Sequence, residues 1–395
     1  MTKRRTSTKR RSARAAAGAP GTPRAVRLEF DHDESDGDAR AIAGELSALA
    51  LAGDSLFVAS DESSSIERLT RVTTGHDGRK RGGNGLTLAA HRSFPLADFV
   101  DLPGGAEAEV DVEGLAEHGG YLWLVGSHSM KRGNAKPDGK NAARQIEKLA
   151  RVTRDPNRYL LARIPLVPDA DGGTALAREA ADGARPRTAA RVMGGDAGSV
   201  LLDALRDDPH VGPYVQLPGK DNGLDVEGLT VVGSRFYIGL RGPVLRGWAI
   251  VLEIEPEDAA PGLLGLRASN GSGRTIRKHF LDLRGMGVRD LTTAPDGDVL
   301  VLAGPTMELA GDAAVFRWRP AKGHDDVLVS REELPKVLDL PYGRGEDEGV
   351  DHPEGLAVLQ PDGGATSLLV AYDAPRADRV KEERVVLADL FELPG

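Results

Sequence analysis

Short runs of alternating apolar residues recur along the chain, each introduced by the same phrase. The phrase is an acidic lead-in, then Glu-Gly-Leu, a brief turn, and a strand that ends in small residues. It reads Asp111-Val112-Glu113-Gly114-Leu115 before Tyr121-Leu122-Trp123-Leu124-Val125-Gly126. It returns as Asp225-Val226-Glu227-Gly228-Leu229 before Phe236-Tyr237-Ile238-Gly239-Leu240, and as His352-Pro353-Glu354-Gly355-Leu356 before residues 367–372. Two further copies keep the apolar frame and change the acid: Arg289-Asp290-Leu291 before residues 298–304, and Ser47-Ala48-Leu49 before residues 55–60. From each glutamate, or its equivalent, to the next the spacings are 66, 114, 62 and 65 residues. Four strands with their turns fill roughly 40–60 residues, the size of one propeller blade. The pattern predicts an all-β chain, a β-propeller of five four-stranded blades, or six if the 114-residue interval hides another.

Residues 66–72 and 146–152 read as further strands of blades one and two, which finish at residues 99–104 and 214–219. The excess in the long interval falls at about 169–213, where residues 200–205 have helical rather than period-2 character. This predicts a partly helical insertion on the rim of the ring. The last blade is short by about one strand, and residues 26–30 alternate like an outer strand. Pairing that segment onto the last blade would close the ring and cover an exposed sheet edge. Residues 25–395 are therefore expected to form one domain behind a tail of residues 1–24.

Charge divides the chain in the same way. The tail holds eight basic residues and no acid; removing them from a formal net charge of −9 leaves −17 on the body. Such a run suits a disordered leader better than an arm for nucleic acid. It lacks the apolar segment of an export signal, no apolar run reaches membrane length, and a cytoplasmic location is expected. The absence of cysteine excludes disulfide scaffolds, thiolate metal sites and a cysteine nucleophile. There is no Gly-x-Ser-x-Gly elbow, Walker loop or His-Glu-x-x-His.

In a propeller the first strand of each blade lines the channel, so equal repeat positions meet at one mouth. Glu113, Glu227 and Glu354 should converge there, with Ser47 and Arg289 completing the ring. Carboxylates held close together repel and need a proton, a cation or an arginine. The three glutamates are thus candidate ligands for a divalent cation, calcium or magnesium, and Arg289 offers an internal counter-charge. Acidic loops lead into the mouth, including Asp33, Glu34, Asp36 and Asp38, and Glu346, Asp347 and Glu348. Loops with a basic bias face the same side, around residues 128–136, 241–246 and 376–379. On this reading His128, Arg241 and Arg289 are the catalytic candidates, and Ser127, Lys131, Arg246 and His352 would bind substrate, a small anionic molecule. The structural alternative gives the glutamate a turn amide to cap and the glycine a tight bend to make.

The residues 223–229 and 239–249, together with Glu113-Gly114-Leu115 and Gly126-Ser127-His128-Ser129, resemble the bacterial family DUF3616. The Asp-x-Glu-Gly-Leu repeat is also similar, more loosely, to phytase-like esterase and lactonase-type propellers. That second resemblance implies a divalent metal in the channel and a hydrolase of a phosphoester, ester or lactone; Ser47 and Arg289 depart from its acidic ring. The alternative function is a propeller that binds a ligand or a protein without catalysis, since this architecture hosts both.

Overall fold

The computed structural model describes residues 22–31, 42–60, 63–72, 86–136, 139, 141–183, 185–268, 273–307, 309, 311–343, 349–360, 365–382 and 384–393. Most of the basic tail and the acidic stretches at 33–38 and 346–348 lie outside the described residues.

The described strands form seven sheets, the largest of them continuous from the start of the chain to its end, and within them five antiparallel groups recur, called units below. The first holds Leu46–Ala52, Ser55–Ser60, Ser65–Arg71 and Thr87–Pro95. The second holds Val112–His118, Tyr121–Gly126, Leu161–Pro168 and Ala190–Val192. The third holds Asp225–Val232, Arg235–Leu245, Trp248–Ile254 and Arg277–Leu281. The fourth holds Gly287–Thr293, Val299–Gly304, Ala313–Trp318 and Lys336–Leu340. The fifth holds His352–Leu359, Ser367–Asp373 and Val385–Glu392, and its fourth place is filled by Arg24–Glu29 from the other end of the chain. The expected closing strand therefore pairs where its alternation placed it. It also pairs parallel to Thr87–Pro95 of the first unit, so both of its edges are covered.

Each first strand packs against the first strands of the two adjacent units, and the fifth returns to the first. Five apolar clusters fill the five unit-to-unit interfaces. A strand in such a stack is covered on both faces, which explains why Val299–Gly304 is apolar and buried along its whole length. Two-residue turns join first to second strands in the first three units; at 119–120 both residues are glycines with φ of 62° and 76°, as a tight hairpin requires.

Three expectations fail outside the repeat. Of residues 146–152 only the last extend, Val152 starting the short strand Val152–Thr153: Ala142–Ala150 is a helix, with the Asn141 side chain accepting from the Arg144 amide at 3.1 Å. Residues 99–104 follow a short 3-10 turn, and Gly212–Tyr214 and Gly219–Asp221 are 3-10 turns as well. The outer strands are instead Thr87–Pro95 and Ala190–Val192. The insertion is helical at Val200–Arg206, but it does more than decorate the rim. It supplies the outer strand of the second unit, and it buries Leu201, Leu202 and Leu205 in the cluster shared with the third. Among the described residues, no helix is long and apolar enough to cross a membrane.

Candidate functional site

All five first strands carry an irregularity at one repeat position. The antiparallel register skips Ser47, Glu113, Arg289 and Glu354, and in the third unit it skips Glu227 with Gly228. A bulge leaves one residue unpaired and re-aims its side chain. The variable residue of the repeat is therefore the one released from the ladder.

The glycine that follows has a separate cause. A Cβ on Gly114 would lie 2.6 Å from the Leu229 amide nitrogen, and one on Gly228 would lie 2.8 Å from the Asp290 Cα. A Cβ on Gly355 would lie 2.8 Å from Leu49 Cγ. The glycines let neighbouring first strands approach closely, and the leucines after them (Leu115, Leu229 and Leu356) are core residues. Glu-Gly-Leu thus divides its work: the glutamate bulges, the glycine admits the neighbour, the leucine anchors.

Four of the five released side chains, Glu113, Glu227, Arg289 and Glu354, line one cavity of about 950 Å³. Guanidinium groups interleave with the acids. Arg241 Nη1 lies 2.8 Å from Glu227 Oε1, and its Nε lies 2.9 Å from Asp225 Oδ2. Arg289 Nε lies 3.0 Å from Glu227 Oε2 and its Nη2 pairs with Glu354 Oε1. Arg158 reaches Asp111 Oδ2 at 2.5 Å, and Glu113 is within the electrostatic reach of Arg158 and Arg241. The lattice thus spans the second, third, fourth and fifth units.

Burial sets the charges. It pushes Glu227 up to about 7, against the pull of Arg241 and Arg289. It pushes Asp111 up to about 6, with Arg158 opposing. Asp290, in the glycine position of the fourth unit, is raised well above the carboxylate range by burial; it accepts the amides of Leu291 and Leu356, each at 2.7 Å. Glu227 is the one of these that combines cavity access with an available acceptor. Its Oε2 accepts no hydrogen bond, because the Arg289 Nε–H beside it is misaligned.

The expected site residues divide. Lys131 and His352 line the cavity, and Lys131 is paired with Glu109 at 2.6 Å. Ser127 is buried beneath it, sharing Arg158 with Ser129. His128 is turned away from the cavity, edge-on to Tyr159, with Nδ1 2.9 Å from the Gly126 carbonyl oxygen. Burial pushes it down to about 4, so it is neutral at ordinary pH. Arg246 sits exposed at the tip of the hairpin between Leu245 and Trp248, outside the cavity lining. Arg158 and Asp225 join the lattice without having been singled out as site residues. The signal for Arg158 was only that Asp111 would need a counter-charge. For a cation the trio of glutamates fits poorly, since both oxygens of Glu227 already face guanidinium groups.

Fold and site together define an all-β protein with a buried arginine–carboxylate lattice at the common end of its first strands. The chain belongs to the family described as protein of unknown function, DUF3616, whose model matches residues 45–389. No curated protein matches it. Among solved structures it is similar to glutaminyl cyclase from Myxococcus xanthus, at 11% identity and a TM-score of 0.38, covering 95% of this chain and 100% of that one. It is likewise similar to the α-L-arabinofuranosidase from Podospora anserina, at 11% identity and a TM-score of 0.39 over 95% and 98% of the two chains. For virginiamycin B lyase from Staphylococcus aureus the values are 8% and 0.32, over 93% and 99%.

Proposed function

We propose that the five units are the blades of a five-bladed β-propeller, and that the cavity is the active site of a hydrolase for a small ester, lactone or phosphoester. Glu227 carries the reading. It is a desolvated carboxylate in a large pocket, poised near neutral pH, with one oxygen open to a proton. A strongly perturbed titratable group in a cleft is a functional-site candidate with a physical rationale.

In the reaction, water attacks the electrophilic carbon or phosphorus and gives its proton to Glu227 Oε2. Protonation cancels the charge that Arg241 and Arg289 were neutralising. Their guanidinium groups are then under-compensated at the moment an oxyanion develops, and they stabilise it. Collapse breaks the bond to the leaving oxygen, which takes the proton back from Glu227. No step is routed through a metal, because Glu227 does not present itself to one.

A second reading has its own observation. Arg158, Arg241 and Arg289 are all engaged by carboxylates, and His128 faces the core, as befits a rigid binding pocket without chemistry. Turnover of a panel of aryl esters, lactones and phosphoesters by wild type and Glu227→Gln separates the two. The hydrolase reading expects at least one class to be turned over, with a loss of about 100-fold or more in the variant. Turnover untouched by the substitution contradicts Glu227, and no turnover at all favours the binding pocket.

A further inference from the structure

At the fifth unit's edge of the cavity, His352 and Asp373 face one another across an antiparallel pair. Glu354 stands two residues along the same strand, at the bulge that re-aims its side chain. A nitrogen of the imidazole and one oxygen from each carboxylate all lie within 4.8 Å of one another, and the three side chains line the cavity. His352 Nδ1 is 3.8 Å from Asp373 Oδ2, too long for a hydrogen bond and wide enough for an intervening ion. Arg289 pairs with Oε1 of the same Glu354 carboxylate.

One further observation points to a cation. Lining side chains of the cavity include nine carboxylates against six lysines and arginines, an excess of acid on its walls.

We propose that His352, Glu354 and Asp373 bind a divalent transition-metal ion of the manganese or zinc class. One imidazole with two carboxylates suits such ions, whereas calcium wants six to eight oxygens. Three protein ligands on the wall of a cavity leave coordination positions open toward a ligand, the arrangement of catalytic rather than structural sites. Binding stands on these residues alone; any use of the ion in hydrolysis rests on the reading of the cavity given above.

The test uses the full chain stripped with a chelator and titrated with Mn²⁺, followed by the loss of the free-ion resonance signal, with Zn²⁺ and Ca²⁺ in parallel by calorimetry. One Mn²⁺ per chain is expected, held more tightly than Ca²⁺. Asp373→Asn and His352→Asn should each weaken binding by about tenfold or more, with circular dichroism unchanged. Glu227→Gln should bind as wild type does, which separates this site from the proposed proton-handling group. Failure of wild type to bind Mn²⁺ or Zn²⁺, or equal binding by the His352 and Asp373 variants, overturns the site whatever the turnover assays show.

Discussion

Units two, three and five carry glutamate at the bulge, whereas units one and four carry Ser47 and Arg289. The backbone departs from regular pairing at the same place in all five. The irregularity therefore belongs to the architecture, and the residue standing on it belongs to the chemistry. The fourth unit shows this most plainly. Its Arg289 projects from the same position as the glutamates and bridges those of the third and fifth units. Ser47 does the opposite: its hydroxyl donates to the Val112 carbonyl at 2.7 Å, tying the first unit to the second instead of joining the charge lattice. One repeat position thus serves as acid, counter-charge or strut.

The architectural half of the comparison breaks first at the glycines. Gly228 has φ of 100° and no room for a Cβ against the Asp290 backbone. Gly228→Val should cost about 3 kcal/mol or more through overpacking and strain together. Denaturant titration should show it as a large fall in midpoint or as loss of soluble protein. A midpoint near wild type would mean that neighbouring first strands are not held at this distance.

The chemical half breaks next at Arg289. Arg289→Met keeps the aliphatic stem and removes the charge shared by two buried carboxylates. Breaking a buried pair on one side costs about 3–5 kcal/mol when the remaining charge stays in place. Adding Glu354→Gln should recover part of that loss, because it removes one of the stranded charges. A cycle without recovery would show that the two groups are not coupled through Arg289.

How much of this was legible in the sequence follows from where the repeat reaches. First and second strands repeat, so their positions and the convergence of Glu227, Arg289 and Glu354 on one cavity could be read from spacing alone. Outer strands do not repeat. Residues 99–104 and 214–219 offered apolar residues and a Pro-Gly end, which serve a turn as well as a strand. The helix Ala142–Ala150 was misread because Ile146, Ala150 and Val152 fit a loose alternation while Ile146, Leu149 and Ala150 fit a helical face. Arg158 was out of reach for another reason. It meets Asp111 across 47 residues, from a segment outside the repeat, a proximity that no local pattern encodes. The bulge itself is a backbone event, and only its product, a polar residue inside an apolar frame, was visible.

The claim that unites these observations is that Glu227 sits desolvated between Arg241 and Arg289 and exchanges its proton near neutral pH. Linkage makes that measurable in stability. Burial raises Glu227 from 4.5 to about 7, so the folded chain binds its proton more tightly than the unfolded chain. The stability this contributes is fully present below about pH 4.5 and is lost as the pH rises through about 7. Glu227→Gln cannot titrate and lacks the loss. Melting temperatures of the two proteins, measured in parallel from pH 4.5 to 8, should therefore diverge, with the variant gaining steadily on wild type as the pH rises and the difference levelling off above about 7. A difference that stays constant across that range would contradict the buried, proton-exchanging Glu227 on which the site rests.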